Sequence, residues 1–534
     1  MPMSEGVTRL LIIMFSVLFI WALITIPTLK ASADSVDMWV RVISGANWDK
    51  PYTLVIDRDN SVYVLGETLS YGVGAYDLIL AKVDRNGSIL WIKTIGGAGS
   101  EVLATSSSMA IDSYGNVYVI ATSSSFDLEK AGLLVVKINS YGDIEWSKAV
   151  VSTSAIQGRG LAIGSDGSIY VVGSIDGNIL VVRLDKDGVI ESAKIIEKPR
   201  IDYPIPANFT AAYNITDFIV SSALVDPEGH LYIVGYYEIY FVSPTYSVVG
   251  DSYIFVAKMD QRCNLLWLKF IDGPEWNRAR AAAIDSEGNI YIVGSKYLST
   301  DISVPGGYPQ DIILIKLGRE GDILWGKAFG GEHPEEGFDI YVDPSDSVYV
   351  IGYTSSYSPA NFPRLGAFIL KLDKDSGLDW ARVFILNYSI MGLSIASDNQ
   401  GNVFFAGAGY AKSYLDPPYI LLAKFHPSYV FSDFMADVTE KVVNNVNTYT
   451  AKVIGQEVEV YNAMDIVGIA DIRPEISDLA GEISSKTISA SPIALTPPPQ
   501  QNGGAIGTYT VIGASATIIA IVFVALFLRR GKSA

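Results

Sequence analysis

The sequence is short of the residues that most metal and nucleophile chemistry requires. It has a single cysteine, Cys263, so no disulfide can close within the chain and no cysteine-based zinc site can be built. Its three histidines, His230, His333 and His426, are far apart. Cations are scarce as well: 39 Lys and Arg stand against 57 Asp and Glu, a formal net charge of -18. Gripping a nucleic-acid backbone needs clustered Lys and Arg, so no nucleic-acid partner is expected. At 18% charged and 49% hydrophobic, the chain is too apolar for general disorder. No motif implies a cofactor or a resident metal, and no catalytic constellation stands out.

Long apolar runs are confined to the two ends. Residues 10–27 form one behind Arg9, and Ala31-Ser32-Ala33 then gives the small-x-small pattern of a signal-peptidase site. Residues 1–33 therefore read as a signal peptide, with an uncleaved anchor helix as the alternative. Residues 508–528 have the length of a transmembrane helix, and Arg529, Arg530 and Lys532 follow at once, which places the tail 529–534 in the cytoplasm and the rest of the mature chain outside the cell membrane. Residues 490–507, rich in Pro, Gly and Gln, read as a spacer. Sequons at Asn86, Asn208, Asn214 and Asn387 could carry glycans.

Between the ends lies a repeat. A strand, a tight turn and a second strand recur seven times, as LVIDRDNSVYVLGET, MAIDSYGNVYVIATS, LAIGSDGSIYVVGS, ALVDPEGHLYIVGY, AAIDSEGNIYIVGS, IYVDPSDSVYVIGYT and SIASDNQGNVFFAGA. A third strand and turn follow each, commonly ending in tryptophan, as in LILAKVDRNGSILW. Trp39, Trp91 and Trp146 lie 52 and 55 residues apart, and Trp267, Trp325 and Trp380 lie 58 and 55 apart. A period near 50 with four short strands per unit predicts an all-β, seven-bladed β-propeller over residues 36–427, with four-stranded blades. The seventh copy ends at YILLAKFHP without a Trp strand, whereas residues 38–44 supply a Trp strand with no copy before it. The first strand is therefore expected to complete the last blade and close the ring.

Each repeat position has a physical reading. The glycine ending the second strand (Gly66, Gly173, Gly235, Gly294, Gly352, Gly407, with Ala121 as the exception) marks a close approach of backbones near the axis. The tryptophans read as plugs between blades, each indole N–H needing one partner. Lys82, Lys137, Arg183, Lys258, Lys316, Lys371 and Lys424 put a cation in every third strand, and Asp57, Asp112, Asp226, Asp285, Asp343 and Asp398 open the first turn, with Gly164 in the third copy. Calcium held by those aspartates is the functional reading, but four-residue turns offer too few oxygen ligands, and hairpin geometry accounts for them with less.

The stretch from Phe329 to Phe384, with GG-x-x-x-E at Gly330-Gly331, D-P-S-D-S-V-Y-V-I-G at Asp343 to Gly352 and F-I-L-K-L-D-K-D-S-G at Phe368 to Gly377, resembles a bacterial and archaeal β-propeller repeat family. The resemblance implies an exported, membrane-attached cell-surface protein and says little about activity. The phrase KVDRNGSILW is also similar to the tryptophan-docking motif of quinoprotein propellers, although no cofactor pocket with a metal can be located.

Residues 428–489 read as a small membrane-proximal α+β segment, with short helices over 431–446 and 474–486 and strand material over 456–472. The expected function is non-catalytic binding of a surface glycan or protein, or a structural role; the alternative is an extracytoplasmic carboxylate-dependent hydrolase or lyase, or a quinoprotein-like enzyme. In a four-stranded blade the second-to-third and blade-to-blade loops share one face, and here those loops are long and aromatic. Trp48, Trp276, Tyr237, Tyr240, Tyr246, Tyr297, Tyr308, Tyr357 and Tyr414 are the candidate binding residues, with packing inside their own loops as the alternative.

Overall fold

The computed structural model describes residues 39–427, without 127, 129, 200–212, 243–246, 273–276, 298–309, 332, 357–364, 385–388 and 411–415, together with the backbone of six short strands between 439 and 487. Both terminal apolar runs lie outside the described residues, and among those described no helix is long and apolar enough to cross a membrane.

Seven antiparallel sheets form the seven blades of a propeller. Val, Ile and Tyr fill the second and third strands because branched and aromatic side chains suit a pleated surface that is covered on both sides. Val62 to Thr68 and Asp77 to Val83 are buried at every position. Neighbouring sheets pack face to face, as where Tyr63, Leu65 and Leu80 of blade 1 meet Val117, Val119 and Val136 of blade 2. The ring closes as the repeat count requires. Trp39–Ile43 pairs antiparallel with Pro418–Phe425, Trp39 opposite Lys424 and Ile43 opposite Ile420.

The tryptophans join each blade to the next. Trp39 Nε1 donates to Arg85 O at 3.0 Å, Trp91 Nε1 to Ser140 O at 3.4 Å and Trp146 Nε1 to Lys186 O at 3.1 Å, each acceptor lying in the following blade's last turn. The ring lies so close to the turn glycine that a Cβ on Gly87 would sit 2.7 Å from Trp39, and one on Gly321 2.9 Å from Trp267. Blade 3 has Ser192 where the others carry tryptophan, and there the next turn has Cys263 in place of glycine. The only cysteine thus fills the space that no indole occupies, fully buried, its thiol pushed up to about 11 by that burial. It is a packing residue.

The third-strand cations and first-turn aspartates belong to the same junctions. Lys82 Nζ lies 3.2 Å from Asp57 and 4.7 Å from the Tyr63 ring centroid, and Lys316 repeats this with Asp285 at 3.3 Å and Tyr291 at 4.8 Å. The aspartate's other oxygen caps its own turn, Asp57 Oδ1 accepting from Asp59 N at 3.0 Å and Ser61 N at 2.8 Å.

The α+β expectation for residues 428–489 needs correction. Thr439–Val442 and Glu475–Asp478, within the stretches expected to be helical, are strands. Six segments each add a fifth, antiparallel strand to the rim of one blade: Thr439–Val442 on blade 5, Asn447–Tyr449 on blade 4, Val460–Asn462 on blade 3, Gly468–Asp471 on blade 2, Glu475–Asp478 on blade 1 and Lys486–Thr487 on the closing strand of blade 7. The chain runs back around the ring like a belt. The physical reason is that each fourth strand has a free edge of N–H and C=O groups, which outcompetes the helical periodicity of the segment. Truncation after residue 427 is expected to leave a cooperative thermal transition but to cause self-association through the uncovered edges, seen as higher-mass species in size-exclusion chromatography. A truncated chain that stays monomeric would show that the belt does not protect those edges.

Candidate functional site

The innermost strands are irregular at one position. Register shifts fall between Pro51 and Thr53, Gly158 and Gly160, Val220 and Ser222, Ala279 and Ala281, Gly337 and Asp339, and Gly392 and Ser394. The extra residues of these bulges are Tyr52, Arg159, Ser221, Arg280, Phe338 and Leu393. A bulge re-aims a side chain, and here it does so on the strands nearest the axis. The repeat glycines stand opposite. A Cβ on Gly66, Gly235, Gly294 or Gly352 would sit 2.4, 2.1, 1.9 or 1.8 Å from the carbonyl oxygen of Lys50, Ile219, Arg278 or Glu336. The close approach expected of these glycines is thus to the bulged strand of their own blade. Ala121 is permitted in blade 2 because the first strand there is broken between Val102 and Met109 by a 3-10 turn, Ser106–Ser108.

That turn crosses the axis. Thr105 Oγ1 donates to Arg159 O of blade 3 at 2.5 Å, Ala223 N of blade 4 donates to Ser107 Oγ at 3.2 Å, and Ser106 hydrogen-bonds Asp339 of blade 6. A turn that reaches three other blades makes a floor. The space around the axis above this floor is the candidate site.

Its wall collects cations and aromatic rings. Lys50 of blade 1 and Arg280 of blade 5 belong to blades that are not neighbours, yet after the larger effect of desolvation Arg280 adds to the lowering of the Lys50 pKa. Lys50 Nζ lies 4.6 Å from the Tyr52 ring centroid. Tyr52 in turn donates to Glu67 Oε2 at 3.2 Å, and Glu67, its carboxyl raised by burial, accepts Leu103 N at 2.5 Å. Arg280 donates through Nε to Glu336 Oε1 at 2.7 Å, and its guanidinium lies 5.9 Å from the Phe338 ring. Arg278 meets Glu238 at 2.6 Å and lies 5.6 Å from the Tyr236 ring. Tyr236, its hydroxyl pKa raised by burial, lies within electrostatic reach of Arg280, Arg278 and Arg159. Arg159 differs from the other arginines. Its NH2 donates to the neutral Gln157 Oε1 at 2.5 Å, its Nε is buried with no hydrogen-bond partner, and burial lowers its pKa.

Comparison with known proteins fits this architecture. The β-propeller repeat family model matches residues 90–129, from the last strand of blade 1 into blade 2. The fold is a repeat-built β-propeller. No curated protein sequence matches it. Among solved structures, the propeller is similar to a polysaccharide lyase described as an ulvan lyase, at 10% identity over 72% of this chain and 95% of that one, with a TM-score of 0.47. It is similar also to the NanB sialidase from Streptococcus pneumoniae (10%, 71% and 68%, TM-score 0.37) and to an α-L-arabinofuranosidase from Fusarium graminearum (10%, 60% and 91%, TM-score 0.37). None of these likenesses bears on the activity of this chain.

Of the residues expected to bind, the structure describes the side chains of two, Tyr237 and Trp48. Tyr237 is a correction: it is fully buried between Phe218 and Phe270, its hydroxyl donating to Pro199 O at 2.6 Å, because the pleat that turns Tyr236 toward the axis turns the next residue into the blade. Trp48 is half-buried in the loop before blade 1, its carbonyl accepting Leu69 N. Trp276, Tyr246, Tyr308, Tyr357 and Tyr414 lie outside the described residues, as do the side chains of Tyr240 and Tyr297. Of the sequons, Asn86 is exposed in a turn, Asn208 and Asn387 lie outside the described residues, and the side chain of Asn214 does too. Lys50, Arg159 and Arg280 were missed. The signal was an arginine between two small residues in an otherwise apolar first strand, as in Gly158-Arg159-Gly160 and Ala279-Arg280-Ala281.

Asp226, Glu228 and His230 are the one His and carboxylate group of metal-binding size among the described residues. His230 occupies the place of the turn asparagine and makes the same bond, Nδ1 to Asp226 Oδ2 at 2.9 Å, that Asn289 Nδ2 makes to Asp285 Oδ2. The turn accounts for the group.

Asp339, at the pocket floor, accepts Ser394 Oγ at 2.7 Å and Ile395 N at 3.1 Å, yet desolvation pushes its carboxyl up to about 6. Between the ordinary aspartate value and that one, the folded chain holds a proton that the unfolded chain has lost, so stability falls as pH rises through this window. Asp339→Asn keeps an acceptor oxygen and removes the charge. It is expected to stabilise the protein by on the order of 1–2 kcal/mol at pH 7.5, by less at pH 4.5 inside the window, and to leave it nearly unchanged below the window, measured by thermal melts. A lower melting temperature at both pH values would contradict this account.

Proposed function

We propose that the propeller is a non-catalytic recognition protein of the cell surface, which binds glycans in the site around its axis. The observation that carries this reading is the convergence of Lys50, Arg159, Arg280, Tyr52 and Tyr236 from blades 1, 3, 4 and 5 near the axis, above the floor turn, in a chain whose net charge is -18. Rings beside hydrogen-bond donors suit a sugar, whose faces are apolar and whose rim is hydroxylated. The hydrolase or lyase reading needs a carboxylate free to give or take a proton. Glu336 and Glu238 are held by Arg280 and Arg278, and Glu67 by Tyr52 and a backbone N–H, so Asp339 at the floor, which accepts Ser394 Oγ and Ile395 N, is the carboxylate through which a hydrolase or lyase would have to work. Export and anchoring through residues 10–27 and 508–528 would place this site outside the cell.

A glycan array probed with the full-length protein in detergent, followed by mass spectrometry of the eluted sugars, tests the proposal. Capture of a defined subset, released intact, is expected. Capture of none would reject glycan recognition, and recovery of cleaved products would move the protein to the enzyme class.

A further inference from the structure

Within that glycan-binding reading, on which this step rests, we infer that the pocket takes a sugar bearing an oxyanion, with Arg159 as its principal contact and Lys50 and Arg280 beside it. The argument is one of charge. Four cations line the pocket, Lys50, Arg159, Arg278 and Arg280. Glu336 and Glu238 pair with Arg280 and Arg278, Glu67 lies beside Lys50, and Asp339 at the floor is held by Ser394 Oγ and Ile395 N, so the surplus is not in the number of cations but in the one that has no carboxylate beside it. Among the described residues no carboxylate pairs with Arg159, whose only side-chain acceptor is the amide oxygen of Gln157 and whose buried Nε has none. A desolvated, unpaired cation costs stability, and a bound anion removes that cost. The Gly158 and Gly160 neighbours and the bulge fix the backbone, and Thr105 holds the Arg159 carbonyl from the floor, so the site is built before any ligand arrives.

The chemistry of the ligand follows. A guanidinium presents a planar fork that matches a carboxylate or one face of a sulfate, while the nearby ammonium of Lys50 adds a point charge. Tyr52, Tyr236 and Phe338 border the cations and offer surfaces for the ring that carries the anion. The chain's overall negative charge repels long, densely charged polymers at range, so the pocket is suited to a short or sparsely charged sugar. A uronate carboxylate and a sulfate ester present the same oxyanion chemistry.

Isothermal titration of the full-length protein with digalacturonate, a monosulfated disaccharide and maltose tests the inference. At least one charged probe is expected to bind tenfold or more tightly than maltose, and which one does so identifies the source of the oxyanion. Arg159→Gln should weaken that probe at least tenfold while leaving the melting temperature of the ligand-free protein unchanged or raised, a sign that a purely structural arginine would reverse. Lys50→Met, at a different blade, should weaken it several-fold and serves in its place if R159Q does not fold. Equal binding of all three probes, or charged-probe affinity unchanged in both variants, would overturn the oxyanion site while leaving glycan recognition standing. Array capture of no glycan would remove the recognition reading itself.

Discussion

Deleting residues 36–44 is expected to abolish the cooperative thermal transition of the propeller. The closing strand does three things at once. It completes the hydrogen-bond ladder of blade 7 from Trp39 opposite Lys424 to Ile43 opposite Ile420. It buries Trp39, Val40 and Ile43 between blades. Through Trp39 Nε1 to Arg85 O it also docks blade 7 on blade 1, where Lys424 Nζ donates to the same carbonyl at 3.2 Å. Without it two sheet edges open and the first and last blades lose their joint. Trp39→Ala alone removes only the plug and should cost about 3–5 kcal/mol, the usual range for a large aromatic taken from a core. Differential scanning calorimetry separates the two: a shifted single peak for the point variant, and a broad or missing one for the deletion. A deletion variant that melts like the parent would mean that the ring does not depend on this strand.

How much of this was legible depends on whether a residue acts within its own repeat or across several. Strand, turn and docking positions recur seven times, so their pattern averages over local accidents, and the propeller, its closure and the blade plugs could be read directly. The belt could not. Its strands are two to four residues long, and they exist because an edge lies beside them, a fact set by the propeller and absent from their own periodicity. The pocket was hidden for a related reason. Arg159 and Arg280 occupy the same bulge position of blades 3 and 5, but their neighbours in that row are Tyr52, Ser221, Phe338 and Leu393, so no repeat consensus marks it. The aromatic loop residues drew attention by composition alone, and Tyr237 shows the weakness of that signal, since one step along a strand reverses the face.

The bulge row also links stability to the pocket, and Gly294→Ala is expected to damage both. A Cβ on Gly294 would stand 1.9 Å from the Arg278 carbonyl oxygen and 2.9 Å from its carbon, with the Ala279 Cα at 3.1 Å. All three are backbone atoms of the facing strand, so no side chain can swing aside and the strand itself must retreat by about an ångström. Overpacking of this kind costs about 1–3 kcal/mol in a core that can adjust, and the inner strand, held on its far side by the neighbouring blades, has less freedom than most. Retreat undoes the register shift between Ala279 and Ala281 and with it the aim of Arg280, which faces Glu336 and Lys50. The melting temperature should fall, and binding of the charged disaccharide should fall with it. Blade 2 supplies the control. Its first strand is interrupted where the other blades bulge, so Ala121→Gly meets no such constraint and should cost only the roughly 0.5–1 kcal/mol of added chain entropy, with binding unchanged. If Gly294→Ala melted and bound like the parent, the glycines would not be what holds the bulged strands in place, and the pocket wall would owe its shape to the packing between blades instead.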